Sequence, residues 1–169
     1  MKRTLLIVYH SMTGGTRQMA QFAADRAREQ TGEAAAAIEI RLLHAAAATP
    51  ADVLAADGYL FATPENLAAI SGVMKDFFDR SYYAVLDRIN GRPYAVMICA
   101  GSDGQNAARQ IDRIALGWRL KAVAPALIVC TFAQTPEQIL AEKTICLADL
   151  ERCGDLAASL VEGLALGIF

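Results

Sequence analysis

Between residues 11 and 16 the chain reads Ser11-Met12-Thr13-Gly14-Gly15-Thr16, directly after the apolar run from Leu5 to Tyr9 and before a stretch with helical spacing. Hydroxyls and glycines thus stand where a buried strand leads into a helix N-terminus. The first N–H groups of a helix lack intrahelical acceptors, and its dipole favours negative charge. Gly14 and Gly15 let the backbone wrap closely, and a side chain at Gly14 is expected to invade the ligand space. The segment predicts a site for a phosphate monoester, held by neutral donors without a metal.

The spacing of this segment differs from that of two common nucleotide-binding loops. The sequence G-x-x-x-x-G-K-[ST], which binds triphosphates, is absent, and so is the dinucleotide fingerprint G-x-G-x-x-G. An ordinary strand-to-helix turn capped by Thr16 is the alternative that these residues leave open.

Composition limits the class of protein. A chain of 169 residues suits one domain with a sizeable core, and we expect a single domain over residues 1–169. The 16 basic and 18 acidic residues give a net charge of −2 without a basic patch, which argues against a nucleic-acid partner. Although 54% of the residues are hydrophobic, no apolar run approaches the length of about 18 residues that a membrane span needs. No membrane span is therefore expected.

The cysteines indicate a reducing compartment. Cys99, Cys130, Cys146 and Cys153 form no C-x-x-C pair and no ligand pattern with the two histidines. Cys99 and Cys130 fall inside strand-like apolar runs and are predicted to be buried, reduced thiols. A cytoplasmic protein fits this pattern, and a redox thiol or disulfide is the alternative.

Five apolar runs predict five strands, over residues 4–9, 38–43, 58–63, 94–100 and 127–131. The second run alternates partly with polar residues, as an edge strand does. Helical spacing predicts helices over residues 16–30, 71–82 and 106–121 and from about residue 144 onward, and Thr135-Pro136-Glu137 predicts a further helix start. Alternating strands and helices predict a parallel sheet with helices on both faces.

Three segments rich in small and polar residues follow strands at one edge of this predicted sheet. They are residues 11–16, 63–66 and 101–106. Ligands of open parallel sheets bind outside the C-terminal strand ends, near the point where the strand order reverses. The convergence of the three segments predicts a binding cleft there.

At these residues the chain resembles a known family. The arrangement S-x-T-G-x-T after the first strand is similar to the phosphate loop of flavodoxin-like proteins, which bind FMN. Phe61-Ala62-Thr63-Pro64-Glu65-Asn66, followed by the segment SGVMKDFFD at residues 71–79, resembles the tryptophan-repressor-binding-protein group of NAD(P)H:quinone oxidoreductases and related FMN reductases. The resemblance covers residues 4–131. It implies a flavodoxin-like three-layer α/β/α sandwich whose five-stranded parallel sheet has the order 2-1-3-4-5.

The resemblance also implies which residues bind FMN. The phosphate would be held by Ser11, Met12, Thr13, Gly14, Gly15 and Thr16. The isoalloxazine ring would be lined by Thr63, Pro64, Glu65 and Asn66. The ribityl chain and the pyrimidine end would face Ala100, Gly101, Ser102, Gly104 and Gln105. No catalytic side chain is assigned.

The chain departs from the family pattern in ways that bear on its reaction. Residues 63–72 and 100–110 contain no Trp, Tyr or Phe, whereas electron-shuttling flavodoxins clamp the ring between aromatic side chains there. The net charge of −2 is also far from the acidity that steers such shuttles to cationic partners. The loop after the fourth strand is shorter than in the quinone reductases and lacks their substrate-side histidine.

The resemblance implies an oxidoreductase that passes reducing equivalents from NAD(P)H through FMN to a quinone, a flavin or another small acceptor. A flavodoxin-type electron carrier that docks on a redox partner is the first alternative, and a flavin-free interaction domain is the second. Related reductases complete their site with a neighbouring subunit, so a homodimer or homotetramer is expected.

Four single residues carry separate expectations. His10 is predicted to cap backbone groups, with contact to phosphate or substrate as the alternative. His44 is predicted to be solvated, and Glu65 to be a solvent-facing carboxylate rather than a proton donor beside the flavin. Trp118 is predicted in the core, and a place beside the flavin stays open.

Overall fold

The computed structural model describes residues 2–30 and 37–169. In that part of the chain the strands are β1 (Arg3–Tyr9), β2 (Ile38–His44), β3 (Gly58–Asn66), β4 (Ala69–Ile70), β5 (Pro93–Ala100), β6 (Lys121–Ala122) and β7 (Leu127–Cys130). The helices are α1 (Gly15–Arg28), α2 (Pro50–Ala55), α3 (Gly72–Val85), α4 (Gln105–Gly117), α5 (Pro136–Leu140) and α6 (Leu147–Leu166). Each predicted strand and helix is present, with its ends shifted by a few residues.

The main strands form a parallel sheet in the order β2-β1-β3-β5-β7, which is the predicted order 2-1-3-4-5. Two short strands share the edge of the sheet next to β5. β6 pairs with the beginning of β5, and β7 pairs with its end. β4 pairs antiparallel with the end of β3. This order places the C-terminal ends of β1, β3 and β5 side by side.

Two hydrophobic cores lie on opposite faces of the sheet, because successive side chains of a strand alternate in direction. Leu5 and Ile7 of β1 pack with Met19 of α1 and with α6 on one face. Leu6 and Val8 pack on the other face, where α2, α3 and α4 supply the cover. The predicted three-layer α/β/α sandwich is thereby confirmed.

An aromatic cluster fills the second core. The ring of Phe61 lies 5.1 Å from that of Phe78 and 6.3 Å from that of Trp118, measured between centroids, and stacks on Tyr59 at 5.8 Å. Trp118 is fully buried. Its predicted core position is confirmed.

Some local predictions were wrong. Residues 63–66 were predicted as a loop, but β3 continues through them to Asn66 and pairs back with β4. The helix predicted over residues 106–121 ends at Gly117, because Trp118 is the C-cap and Arg119 has a φ of 59°. α2 was not predicted, although a capping box between Thr49 and Asp52 and a proline at its start mark it. Six residues are too few for a helical period to stand out.

No helix in residues 2–30 and 37–169 combines the length and the apolar character needed to cross a bilayer.

Candidate functional site

A cavity of about 680 Å³ opens at the C-terminal edge of the sheet, within the size range of about 300–1,000 Å³ that small-molecule sites occupy. All three predicted segments contribute to its wall, and a fourth segment, residues 131–143, completes it. The predicted residues that line the cavity are Ser11, Met12, Thr13, Gly15, Thr16, Pro64, Glu65, Asn66, Ala100, Gly101 and Ser102. The predicted convergence of the three segments is confirmed.

Four predicted site residues do not line the cavity. Thr63 is buried behind it, where its hydroxyl exchanges hydrogen bonds with Ser71 at the base of the β3–β4 hairpin. Gly14 and Gly104 are the N-caps of α1 and α4, and Gln105 is exposed at the start of α4. These residues shape the loops without contributing to the wall.

The two glycines of the first loop have different roles. Gly14 has a φ of 86°, as expected for a position that favours glycine, and it donates its N–H to Ser11 Oγ at 3.1 Å. A Cβ at Gly14 would lie 3.5 Å from the guanidinium of Arg17, and Gly14 does not line the cavity. A Cβ at Gly15 would lie 2.7 Å from Cys99 Sγ. The close approach therefore occurs at Gly15.

Thr16 is a lining residue whose hydroxyl is buried beside the thiol of Cys99. Its Oγ1 is buried and has no hydrogen-bond partner among the described residues. The alternative that Thr16 caps the helix is wrong, because the N-cap is Gly14 and makes no side-chain cap. Leaving a buried hydroxyl unpaired costs about 1–3 kcal/mol, so a ligand that pairs with Thr16 would recover stability.

A segment that we call the strap, residues 138–145, lies against the first loop. The Lys143 N–H donates to the Thr13 carbonyl at 2.8 Å. The side chain of Gln18 on α1 bridges the two segments: its Nε2 donates to the carbonyls of Gly14 at 3.1 Å and Lys143 at 2.5 Å, and its Oε1 accepts from the Ile145 N–H at 3.1 Å. These contacts hold the strap against the N-terminus of α1.

The strap brings a cation to the cavity. Lys143 lines the wall, and its Nζ donates to the carbonyls of Gln138, Ile139 and Ala141 at 2.5–2.8 Å. Short helix α5 begins with the predicted cap at Thr135, whose hydroxyl accepts from the Gln138 N–H. Lys143 thus adds an ammonium group to the cavity wall, whereas residues 11–16 contain no cationic side chain.

The opposite side of the cavity is formed by the β3–β4 hairpin. Leu67 and Ala68 both have positive φ at its turn, and the side chain of Leu67 is fully exposed. Asn66 Nδ2 contacts Met12 Sδ at 3.1 Å, which links the hairpin to the first loop. Glu65 has one buried carboxylate oxygen without a partner among the described residues, so the prediction of a simply solvent-facing carboxylate is wrong. Within the part of the chain that the structure describes, no aromatic side chain lines the cavity.

Burial raises the pKa of the two thiols near the cavity. Cys99 is buried as predicted and lines the wall, and burial raises the pKa of its thiol to about 11. Cys130 is half-buried rather than buried. Burial is the larger cause that raises the pKa of its thiol, and the charge of Glu65 is the next. All four cysteines are free.

Neither histidine lines the cavity. The ring of His10 packs against that of His44 at 5.4 Å, and burial, with His44 as the smaller cause, lowers the pKa of His10. The backbone N–H of His10 donates to the Ala62 carbonyl at 3.1 Å, whereas its ring Nδ1 is buried without a partner among the described residues, so the predicted capping of backbone groups by the side chain is wrong. His44 is half-buried, and its Nδ1 accepts from the Ala46 N–H at 3.2 Å, so it is not simply solvated. Contact between His10 and a ligand in the cavity is not supported.

These features define an α/β protein with a cavity across the carboxyl ends of the central strands, beside the N-terminus of α1. Residues 44–134 match the family model described as NADPH-dependent FMN reductase. Since the match covers more than half of the chain, the chain belongs to this family.

Two curated relatives match at moderate identity. A protein named flavodoxin from Aquifex aeolicus is 35% identical over 100 residues, which cover 59% of this chain and 51% of the relative. A protein named NAD(P)H dehydrogenase (quinone) from Acidithiobacillus ferrooxidans is 33% identical over 92 residues, with 46% of each chain covered. The chain spans about half the length of these relatives.

Solved structures with low identity share the fold. A flavodoxin from the domain Archaea has a TM-score of 0.74 at 14% identity, and the match covers 95% of this chain and 98% of that flavodoxin. A flavodoxin, WrbA-like protein from Agrobacterium tumefaciens has a TM-score of 0.72 at 19% identity and covers 98% of each chain. The predicted flavodoxin-like fold is confirmed.

Proposed function

We propose that the chain binds FMN in the cavity and passes reducing equivalents from NAD(P)H through FMN to a small acceptor such as a quinone or a flavin. The observation that carries this proposal is the cavity at the N-terminus of α1, whose wall includes the hydroxyl-bearing residues Ser11, Thr13 and Thr16. A phosphate oxygen would accept the hydrogen bond that Thr16 lacks. Membership in the NADPH-dependent FMN reductase family supports the same ligand.

The first loop fits the phosphate of FMN. The N–H groups of the first turn of α1 have no intrahelical acceptors, and the hydroxyls of Ser11, Thr13 and Thr16 stand beside them. Gly15 lets this turn pack directly on Cys99. Dipole, N–H groups and hydroxyls would together hold a dianion in place.

The remainder of the wall fits a planar ring. Bound FMN supplies hydride and electron transfer, which the side chains present here do not provide. Pro64, Glu65 and Asn66 would orient the ring from one side, and Gly101 and Ser102 from the other. Glu65 contributes a carboxylate to this part of the wall. Because no aromatic side chain from residues 2–30 and 37–169 lines the cavity, a second planar molecule would have room to approach the ring.

A flavodoxin-type electron carrier is the second candidate. The identity of 35% to the Aquifex protein named flavodoxin supports it. Met12, Leu67 and Leu140 also expose apolar side chains at the cavity mouth, where a partner protein could dock. The small net charge of −2 offers little electrostatic steering and favours the enzyme. A homodimer or homotetramer stays a prediction, which light scattering after size-exclusion chromatography would test.

Turnover without a partner protein separates the two candidates. We expect the chain, loaded with FMN, to oxidise NADPH or NADH continuously when a soluble quinone is present, followed by the loss of absorbance of the nicotinamide. If FMN binds but nicotinamide oxidation requires an added reductase, the carrier is correct. If the visible spectrum shows no bound flavin after incubation with FMN, the proposed function is wrong.

We expect Thr16→Val to weaken FMN binding by about 1–3 kcal/mol, that is roughly 5- to 150-fold, because the substitution removes a donor to a charged acceptor at nearly constant volume. The stability of the apo protein should change little, since among the described residues the lost hydroxyl neighbours only the thiol of Cys99 as a polar group. Flavin fluorescence titration and thermal melts measure the two effects.

Ser81→Ala is the matched control. The Ser81 hydroxyl on α3 is likewise buried and unpartnered, but it does not line the cavity. Its removal should leave FMN affinity unchanged. Equal FMN affinities for Thr16→Val and Ser81→Ala would show that Thr16 does not contact the phosphate.

A further inference from the structure

We propose that Lys143, on the strap, supplies the positive charge of the phosphate site. This inference rests on the proposed binding of FMN in the cavity. Residues 11–16 contain no cationic side chain, so a phosphate bound there would otherwise be held by neutral donors and the helix dipole. Lys143 belongs to a segment about 130 residues further along the chain and reaches the site through the fold.

The position of Lys143 is fixed by its backbone. Its N–H donates to the Thr13 carbonyl at 2.8 Å, and its carbonyl accepts from Gln18 Nε2 at 2.5 Å. Its Cβ lies 3.4 Å from the point that a Cβ at Gly15 would occupy. Lys143 therefore stands directly against the first turn of α1, and substitution of its side chain leaves these two backbone bonds possible.

Among the described residues, no carboxylate neutralises the charge of Lys143. Its three hydrogen bonds go to neutral carbonyls, and no ion pair involves it within residues 2–30 and 37–169. Arg17, the neighbouring cation on α1, instead pairs with Glu142 at 3.7 Å and does not line the cavity. Among the described lining residues, Lys143 is the single cation. A dianion bound at the start of α1 would be attracted electrostatically to the ammonium group of Lys143.

The three carbonyls also keep the ammonium in place before a ligand arrives. They belong to the last residues of α5 and the residue after it, where helix carbonyls lack intrahelical donors. A cation at a helix C-terminus is favourable by itself, so the group is preorganised with little loss of side-chain freedom on binding. When phosphate binds, Nζ can exchange one carbonyl for a phosphate oxygen.

The test compares FMN with riboflavin, which lacks the phosphate. In Lys143→Gln and Lys143→Met, FMN should bind about tenfold more weakly while riboflavin changes by less than about twofold, since charge acts on the phosphate alone. The methionine keeps the aliphatic stem that packs near Gly15. Lys143→Arg retains the charge and should keep most of the preference for FMN.

The pKa of the bound phosphate provides a second measurement, which responds to the charge at residue 143. The second pKa of a phosphate monoester lies near about 6, and a nearby cation lowers it. Phosphorus NMR of bound FMN should therefore give a higher phosphate pKa in Lys143→Gln than in the wild type. Lys75→Gln is the control, because Lys75 pairs with Asp79 on α3 and does not line the cavity.

The outcomes separate this inference from the proposed function. Equal weakening of FMN and riboflavin in Lys143→Gln and Lys143→Met would assign Lys143 a structural role in the strap and overturn the inference. Unchanged FMN affinity with an unchanged phosphate pKa would overturn it as well. If the wild type itself binds neither flavin, the proposed function fails.

Discussion

Phe61→Ala should lower the free energy of unfolding by about 3–5 kcal/mol, the range for removing a large aromatic side chain from a core. Phe61 is fully buried on β3, and its ring contacts Tyr59, Phe78 and Trp118. This loss of stability has three sources: the apolar area that is no longer buried, the cavity that remains, and the aromatic pairs, which contribute about 0.5–1.5 kcal/mol each. Urea unfolding followed by circular dichroism measures the effect.

The single tryptophan provides a second probe of the same transition. Trp118 is the only tryptophan of the chain, and its ring lies 5.2 Å from that of Phe78. Coincident fluorescence and dichroism transitions would justify a two-state treatment. Tyr83→Ala is the control, because Tyr83 is 86% exposed and its loss should change stability by only about 0.5 kcal/mol. A loss below about 1 kcal/mol for Phe61→Ala would contradict the central role of the cluster.

The strands of the sheet could be predicted because their apolar residues follow one another in the sequence. β1, β3 and β5 are covered on both faces, so their apolar runs are nearly continuous and stand out from the amphipathic helices. The order of the strands came from the resemblance to flavodoxin-like proteins. The end of β3 was missed because Pro64, Glu65 and Asn66 are typical of a loop, and their strand geometry depends on pairing with β4.

The cavity could be predicted in part. Three of its segments follow strands and carry turn residues, so their position at one sheet edge follows from the topology. The strap could not be predicted from the topology. Lys143 contacts Thr13 through a backbone N–H and a backbone carbonyl, which are the same in every residue and leave no signal in the sequence. The direction of a Cβ at Gly14 or Gly15 depends on φ and ψ, which the glycine pair alone does not specify.

Riboflavin should bind about 100- to 1,000-fold more weakly than FMN, a difference of about 3–4 kcal/mol. Both flavins would make the same contacts to Pro64, Glu65 and Asn66, so the difference reports on the phosphate end alone. There the N–H groups of the first turn of α1 and the Thr16 hydroxyl each contribute about 1.5–3 kcal/mol as hydrogen bonds to a charged group. Desolvation of the dianion offsets part of this sum.

Titration of each flavin at constant ionic strength, followed by quenching of flavin fluorescence, measures the ratio of the two affinities. Added salt should weaken FMN more than riboflavin, because screening acts on the phosphate charge. Thr16→Val should reduce the ratio by weakening FMN alone, whereas Ser81→Ala should preserve it. Equal affinities of the wild type for FMN and riboflavin would show that the start of α1 does not bind the phosphate. The cavity would then have to hold a flavin by its ring, and the unpartnered hydroxyl of Thr16 would need a different ligand.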